Sequence, residues 1–439
     1  MSQIDVRSLL ELLESPLQGS REAALSTVTS LKELTRDANI AQPLYTPYGL
    51  SCLLRYGFPE AQEYDTTALE AQRCLANALL QSNNCVELLM KDEVGGLARM
   101  LQVALQVQAT AASDFLLGRI LFLLCTKSAN GFVSQAGQNS IESLQKILEG
   151  LQYRHFEKYC PGDATQGAAT VELLKLLYSL TVFAPDIVKH MAKLTRVVLA
   201  LLDQASHEGQ IDVLHHAISL LTNLEIAPEE LGSCFPILPN LLLSRLEATL
   251  EELKDGQRGG RSLKADEKAA PLLSLLSKIA ACGHKETRNL LRDRLLVQDA
   301  ERHVPLGRGQ SLASRLLHTT TTSGSLTARE CISALLYELS DSDPQQFVLN
   351  VGYGYASGFL TAHGLPTPRL EQGQVNPITG QKTADEEADY ASLEDMTDEE
   401  KEREAERLFV LFDRLKKTGI VDVKDPIREA VESGRFEEM

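Results

Sequence analysis

The sequence is poor in basic and aromatic residues, contains no tryptophan and has no long apolar run. Of its 439 residues 5% are aromatic, and 43 Lys and Arg stand against 60 Asp and Glu, which gives a net charge of −17. Binding to phosphate backbones depends on clustered cations, so this balance argues against nucleic acid or an anionic membrane as the main partner. A membrane-spanning helix needs about 20 consecutive apolar residues. The sequence offers no such run, and we expect no integral membrane segment.

The cysteines are spaced singly, and the N-terminus lacks a targeting pattern. None of the eight cysteines forms a C-x-x-C pair, so we expect neither disulfides nor a zinc site. The start, MSQIDVRSLLELLE, is amphipathic and acidic. It has neither the basic region nor the apolar core of a signal peptide. We therefore expect a cytoplasmic protein.

Motifs that carry catalytic chemistry are also missing. The sequence contains no Walker loop, no HExxH, no GxSxG and no EF-hand loop. The glycines between Gly352 and Gly358 follow no predicted strand, so we interpret them as turn or helix-cap glycines rather than a phosphate loop. We assign no catalytic residue, no metal ligand and no cofactor. This pattern is typical of a binding protein.

Leucine-rich helical segments recur along the chain and can be aligned on one column. Successive members of the column are 44 to 60 residues apart, and repeats of about 40 to 47 residues indicate armadillo or HEAT units with insertions in the longer intervals. We therefore predict an all-α protein, an armadillo/HEAT-type right-handed helical solenoid. The column consists of Leu34, Ala78, Leu124, Leu180, Leu224, Ile279 and Leu339.

One helix of each repeat in such an array lines a concave groove that suits an extended or helical peptide. Asn77 and Asn223 share a position of the alignment, and an amide can both donate to and accept from a peptide backbone. Alternatively, the two asparagines cap helices or lie in the core and do not bind a peptide. Lys32 and Arg36 lie one turn apart and predict a small basic rim for a carboxylate; a solvated helix face explains them as well.

The C-terminal part differs in character. Nine acidic residues and no basic one lie between Asp385 and Glu400, which predicts a mobile tether. Thr397 and Glu400 form a capping box for a following amphipathic helix. That helix either packs against the solenoid or binds a partner. Its apolar stripe consists of Leu408, Phe409, Phe412 and Leu415.

These features give four expected regions. We expect the repeat solenoid in residues 1–345, a GYG segment that closes it in 346–370, the acidic flexible linker in 371–396 and the C-terminal helical segment in 397–439.

Three motifs in the C-terminal third resemble, in order and approximate spacing, the synembryn family ("resistance to inhibitors of cholinesterase" proteins). They are FVLNVGYGYASGFLTAHGL, VNPITG and MTDEEKEREAERLFVLFDRL. Upstream helices such as LKELTRD, CLANALL and VELLKLLYSLT are similar to the family's helices, so the resemblance spans about residues 20–421.

The resemblance implies a non-receptor guanine-nucleotide exchange factor that is also a chaperone for the α subunits of heterotrimeric G proteins (Gα). In the family the groove holds the C-terminal helix of Gα, and a distal helix contacts the Ras-like domain. Lys32, Arg36, Asn77 and Asn223 match groove positions, and Leu408–Leu415 matches the distal helix. We expect the chain to act as a monomer in the cytoplasm and, through Gα, at the plasma membrane.

The sequence departs from the family pattern in one regulatory stretch. The acidic, phosphorylated segment that animal members carry between the GYG and NPxTG motifs is missing here, and the acidic run follows NPITG instead. Thr383, Ser392 and Thr397 each have an acidic residue three positions later and are the candidate phosphorylation sites. The main alternative function is an armadillo-type adaptor without exchange activity. An importin-like role is disfavoured, because those grooves use tryptophan beside asparagine.

Overall fold

The computed structural model describes residues 5–14, 21–60, 64–91, 96–128, 132, 138–189, 191, 193–207, 209–259, 263–322, 325–368, 376 and 380–382. These residues form α-helices and short helical turns and contain no β-strand, so the all-α prediction is confirmed. No helix in these ranges is long and apolar enough to cross a membrane. The expected distal helix and, apart from residues 376 and 380–382, the expected linker lie outside the described residues, and so do Thr383, Ser392, Thr397, Leu408, Phe409, Phe412 and Leu415.

Twenty α-helices are described. In chain order they are α1 (Val6–Glu14), α2 (Arg21–Leu34), α3 (Pro47–Gly57), α4 (Thr66–Gln81), α5 (Asn83–Met90), α6 (Gly96–Gln106), α7 (Ala111–Lys127), α8 (Gln138–Gln152), α9 (Ala164–Phe183), α10 (Pro185–Lys189), α11 (Leu194–His207), α12 (Ile211–Asn223), α13 (Pro228–Ser233), α14 (Ile237–Gly259), α15 (Leu263–Ala281), α16 (Lys285–Leu295), α17 (Leu312–Thr322), α18 (Leu326–Leu339), α19 (Pro344–Val351) and α20 (Tyr353–Ala362).

The chain divides into two compact units. Unit 1 comprises Met1–Arg294 and Thr322–Leu339, and unit 2 comprises Leu295–Thr321 and Ser340–Met439. The four expected regions with boundaries at 345, 370 and 396 stay a prediction.

Unit 1 is built around a row of seven helices in which each contacts the next: α2, α4, α7, α9, α12, α15 and α18. The aligned column residues lie in these seven helices or, for Leu224, directly after one of them. Six of the seven are buried, and Leu34 is half-buried. The sequence alignment thus found the helix of each repeat that stacks on its neighbours, and this part of the repeat prediction is confirmed.

A second layer of helices covers one side of the row. Helix α3 packs on α4, α11 on α12 and α14 on α15, while α6 contacts α8. A π-helical turn at Tyr153–Glu157 directly follows α8 and contacts α11. Neither layer could bury its apolar face alone. The pairs α3–α4, α11–α12 and α14–α15 are consistent with repeats of two or three helices, which the spacing predicts.

Side-chain caps fix where three row helices begin. Asp65 accepts a hydrogen bond from Ala68 N at the start of α4, and Asp163 accepts from Thr165 N and Gln166 N at the start of α9. Thr110 and Ser113 form a capping box at the start of α7. Each cap satisfies an N–H group that the first helical turn leaves without an intrahelical acceptor.

Unit 2 contains α17, α19, α20, a 3₁₀ turn at Asp299–Glu301 and the short segment Gly380–Lys382. Gly352 ends α19 and begins α20 with a φ of 81°, a conformation that L side chains rarely adopt. The interpretation of the GYG glycine as a helix cap is confirmed, and α19 and α20 pack against each other.

Candidate partner-binding surface

The row helices of unit 1 share one exposed face, which we call the row surface. Positions five before, two before and two after each column residue project on the same side of a helix. The resulting residues combine large apolar side chains with cations. We define the row surface as Lys32 on α2, Arg36 in the turn directly after α2, Arg73 and Leu80 on α4, Arg119 and Phe122 on α7, and Lys175, Tyr178 and Val182 on α9.

Apolar side chains on the row surface reach solvent where α7 and α9 lie side by side. Tyr178 is 40% exposed, Val182 52% and the neighbouring Phe183 44%, and Leu80 on α4 is 50% exposed. A cluster of exposed large apolar side chains on closely packed helices marks an interaction site more often than a single exposed leucine does. Tyr178 and Val182, which lie one turn apart on α9, therefore give the row surface an apolar patch that a partner helix can contact.

Two buried glutamates each hold two cations on this face. Glu172 Oε1 lies 2.8 Å from Lys175 Nζ and 3.3 Å from Arg119 Nη1. Glu70 Oε2 lies 2.8 Å from Lys32 Nζ, and the other carboxylate oxygen contacts Arg73. Each cluster keeps one excess positive charge. In a chain with a net charge of −17, these are local cationic sites that suit a partner carboxylate.

Lys175 also places its ammonium 4.8 Å from the ring centroid of Phe122. This cation–π contact joins the apolar and cationic parts of the row surface. Arg73 and Lys175, which sequence reasoning missed, occupy the same position of the repeat. A visible pattern pointed to them, since Glu70-x-x-Arg73 and Glu172-x-x-Lys175 align in the sequence.

Lys32 and Arg36, the predicted basic rim, lie one turn apart as expected but differ in surroundings. The Lys32 side chain is only 22% exposed and is bound to Glu70, whereas the Arg36 side chain is 70% exposed and lies 2.9 Å from Glu33. The more accessible cation of the pair is Arg36. A carboxylate contact at this rim stays a prediction.

Asn77 and Asn223 make equivalent contacts. Asn77 Nδ2 lies 3.5 Å from Thr35 Oγ1, and Asn223 Nδ2 lies 2.9 Å from Thr181 Oγ1. Both threonines directly follow a column residue, and each contact joins a row helix to the preceding one. An amide has two N–H donors and an oxygen acceptor, so this contact uses one donor. The peptide-binding role predicted for the pair stays a prediction.

Side chains of neighbouring helices cap the C-terminal ends of several row helices. Lys127 Nζ donates to Leu79 O and Leu80 O at 2.8 and 2.6 Å, and Lys278 Nζ donates to Thr222 O at 2.9 Å. These carbonyls have no intrahelical donor, and a cation there also meets the negative end of the helix dipole. The two lysines thus hold the row together as well as contributing to its charge.

A cavity of about 850 Å³ lies at the C-terminal ends of α9 and α12. Thr181 and Asn223 line it together with the apolar Val188 and Ile226. The charged residues of the lining are of both signs: Lys189, Lys193, Glu225, Glu229 and Glu230. The Thr181–Asn223 contact therefore forms part of the wall of this cavity. This places one of the two predicted asparagines beside a space that a partner side chain could fill.

Comparison with known proteins agrees with the repeat architecture. The sequence matches the family described as "Guanine nucleotide exchange factor synembryn" over residues 27–435. "Chaperone Ric-8A" of Gallus gallus is 25% identical over 479 aligned positions, which cover 94% of this chain and 84% of that protein. The protein of the same name from Xenopus tropicalis is 26% identical over 470 positions with the same coverage.

A fungal relative matches a shorter region more strongly. The "Synembryn-like chaperone" of Schizosaccharomyces pombe is 32% identical over 188 positions, 37% of this chain and 34% of that protein. The family match covers the row helices from α4 to α18 and the whole of unit 2 up to residue 435, so it confirms the resemblance carried by the C-terminal motifs. The chain therefore belongs to the synembryn family of guanine nucleotide exchange factors.

Proposed function

We propose that this chain binds Gα subunits, promotes GDP release as a non-receptor exchange factor and chaperones newly made Gα. Family membership supports the exchange activity, and relatives that align with 94% of the chain carry the name chaperone. The observation that carries the proposal is the row surface, where exposed apolar side chains lie beside two cation-rich clusters.

The row surface suits an amphipathic helix that ends in or carries a carboxylate. Tyr178 and Val182 provide apolar contact area, and Lys175 provides charge beside the Phe122 ring. Helix-in-groove recognition uses apolar anchors one turn apart, which matches the spacing of these residues on α9. The C-terminal helix of Gα, expected from the family resemblance, has this chemistry, and we assign it to this surface.

The proposed mechanism has no covalent step. Binding at the row surface pulls the last helix of Gα away from the Ras-like core, and that helix supports the loop that holds the guanine base. The binding free energy offsets the disruption, so the population of the open, nucleotide-free state rises. Incoming GTP with Mg²⁺ re-orders Gα and releases the chain. No side chain of this protein needs to react.

A second contact is assigned to residues 397–439. Leu408, Phe409, Phe412 and Leu415 form the apolar stripe of the predicted distal helix, and we propose that it contacts the Ras-like domain. Thr383, Ser392 and Thr397, which precede that helix in the sequence, are the proposed phosphorylation sites. Added phosphate there would lengthen an acidic run that already repels itself.

The chaperone role follows from the same surface. A Gα subunit that has not yet closed around nucleotide exposes its last helix, and a protein that covers this helix shifts the equilibrium away from misfolded states. We propose that the chain does this as a monomer in the cytoplasm and that it reaches the plasma membrane only through Gα.

The experiment that tests the proposal measures GDP release from purified Gα with and without this protein. We expect faster release with the wild-type chain and a large loss with Tyr178→Ala combined with Val182→Ala. Tyr153→Ala is the matched control, because Tyr153 is 51% exposed but lies outside the row. Binding without faster release would show an adaptor instead of an exchange factor. Absence of binding would contradict the proposal as a whole.

A further inference from the structure

Arg302 in unit 2 ties together three segments that are distant in sequence. Its guanidinium donates to Gly380 O at 3.1 Å and to Leu349 O at 3.0 Å, at the C-terminal end of α19. Its own backbone oxygen accepts from Lys382 N at 2.8 Å. Arg302 is only 6% exposed, so these acceptors replace water around a buried cation.

Backbone hydrogen bonds also link the described residues of the segment that Arg302 holds. Gly380 N donates to Asn376 O, and Asn376 N donates to Gln381 O, both at 2.8 Å. The Gln381 side chain is buried and donates to His303 O at 3.0 Å. Asn376 and Gly380 are the first and last residues of the NPITG motif. We call this arrangement the Arg302 clasp.

Glycine is required at the centre of the clasp for two reasons. Gly380 has a φ of 70°, in the left-handed region. A Cβ added there would also lie 2.2 Å from Leu306 Cδ1, far inside van der Waals contact. Arginine is favoured at position 302 because a planar guanidinium offers several fixed donors to separate carbonyls, whereas a lysine ammonium is a point charge.

We propose that the Arg302 clasp positions the C-terminal segment for nucleotide exchange, with Arg302 as the positioning residue. The clasp holds Lys382 against Arg302, and residues 383–439 follow Lys382 in the sequence. The effective concentration of a tethered binding segment depends on where its tether is anchored. This inference rests on the proposed function, because it needs Gα as partner and the stripe around Phe409 and Phe412 as the segment that acts.

The first test compares clasp variants with a matched glycine control. Arg302→Lys removes the fixed donor geometry, and Gly380→Ala introduces both the φ strain and the collision with Leu306. Gly364→Ala is the control, since Gly364 has a φ of 64° but open space around its Cβ. We expect both clasp variants to slow GDP release by about tenfold, with unchanged affinity for an isolated Gα C-terminal peptide. The control should stay within about twofold of the wild type.

The second test is a double-mutant cycle in the full chain. If the clasp acts through the C-terminal segment, Arg302→Lys should have no further effect on GDP release when Phe409→Ala and Phe412→Ala are already present. Additive losses would overturn the proposal, because they would show that Arg302 acts independently of that segment.

Two other outcomes also overturn it. Normal GDP release by both clasp variants, with an active wild type, would refute the clasp and leave the proposed function standing. Loss of peptide affinity together with a lower thermal unfolding midpoint would show that Arg302 has only a structural role. If the wild-type chain neither binds Gα nor releases GDP, the proposed function fails and the clasp has no exchange reaction to serve.

Discussion

The side-chain amide of Asn223 donates a hydrogen bond to Thr181 Oγ1 across 2.9 Å, and this contact joins α12 to α9 in the wall of a large cavity. Asn77 and Thr35 make the equivalent contact three repeats nearer the N-terminus, at 3.5 Å. The asparagine column is therefore a repeated link between stacked helices, whatever else it binds. Any assignment of Asn223 to a ligand has to be separated from this structural role.

Two single variants, Thr181→Val and Asn223→Ala, separate the structural role of Asn223 from a role in peptide binding. Thr181→Val removes the acceptor but leaves the amide in place, so we expect a loss of stability of about 0.5 to 1 kcal/mol and little change in affinity for a Gα C-terminal peptide. Asn223→Ala should cost similar stability and, if the amide binds the peptide backbone, about 1 to 3 kcal/mol of binding free energy as well. Urea unfolding and peptide titration measure the two effects. Equal peptide affinities for the two variants would leave Asn223 with the structural role alone.

The Glu172 cluster predicts effects of opposite sign on stability and on binding. Glu172→Gln leaves Arg119 and Lys175 without their shared carboxylate, so the folded protein should lose about 2 kcal/mol. The row surface gains one positive charge, so association with a carboxylate-bearing peptide should become faster at low salt. Stopped-flow binding at two ionic strengths measures this effect. Slower association at low salt would place the peptide elsewhere.

The repeat architecture could be predicted from sequence, but the partners of the site residues could not. The column from Leu34 to Leu339 could be predicted because the apolar periodicity of each helix is visible in its own short stretch of sequence. The contact of Asn223 with Thr181 joins residues 42 positions apart, and the contact of Arg302 with Gly380 joins residues 78 positions apart. Such contacts depend on how helices align with one another, which a single sequence does not show.

The basic rim illustrates the same limit. Lys32 and Arg36 are one turn apart on any helix, and that spacing was predicted. Because α2 stacks on α4, Glu70 of the next row helix binds Lys32, and Arg36 remains as the accessible cation. The sequence alone does not show this stacking. The aligned pattern of Glu70 with Arg73 was readable in the sequence, yet its meaning depended on knowing which helices are neighbours.

Asp114 gives a prediction for the dependence of stability on pH. Its buried carboxylate receives two hydrogen bonds from Arg154, at 2.7 and 2.9 Å, and lies 2.8 Å from His155 Nε2. Burial alone raises the pKa of Asp114, but the bonds from His155 and Arg154 outweigh it and hold the pKa below its ordinary value. A lowered pKa in the folded state stabilises the protein above the unfolded value of about 3.9, and this contribution is lost as the pH falls through the folded pKa.

Asp114→Asn should therefore destabilise the protein by on the order of 2 kcal/mol at neutral pH, because the buried carboxylate loses its charge-assisted hydrogen bonds to Arg154, which is 40% exposed. The gap in unfolding free energy between variant and wild type should narrow below about pH 4. Urea unfolding at several pH values measures it. A gap that is constant from pH 7 to pH 3 would show that the charge of Asp114 contributes nothing to stability.

The distal helix gives the last prediction, which separates capture of Gα from opening of Gα. The stripe of Leu408, Phe409, Phe412 and Leu415 is too apolar for a solvated tail, so it needs a surface to cover it. If that surface is the Ras-like domain, Phe409→Ala with Phe412→Ala removes two large contacts, each worth roughly 3 kcal/mol when buried and less at an interface rim. GDP release should then fall strongly, while affinity for the isolated Gα C-terminal peptide stays close to that of the wild type. Glu406→Ala with Arg414→Ala is a suitable control, because both residues lie in the same predicted helix but outside the apolar stripe. Peptide affinity that collapses together with exchange would mean that the helix supports the fold of unit 1 and makes no contact of its own with Gα.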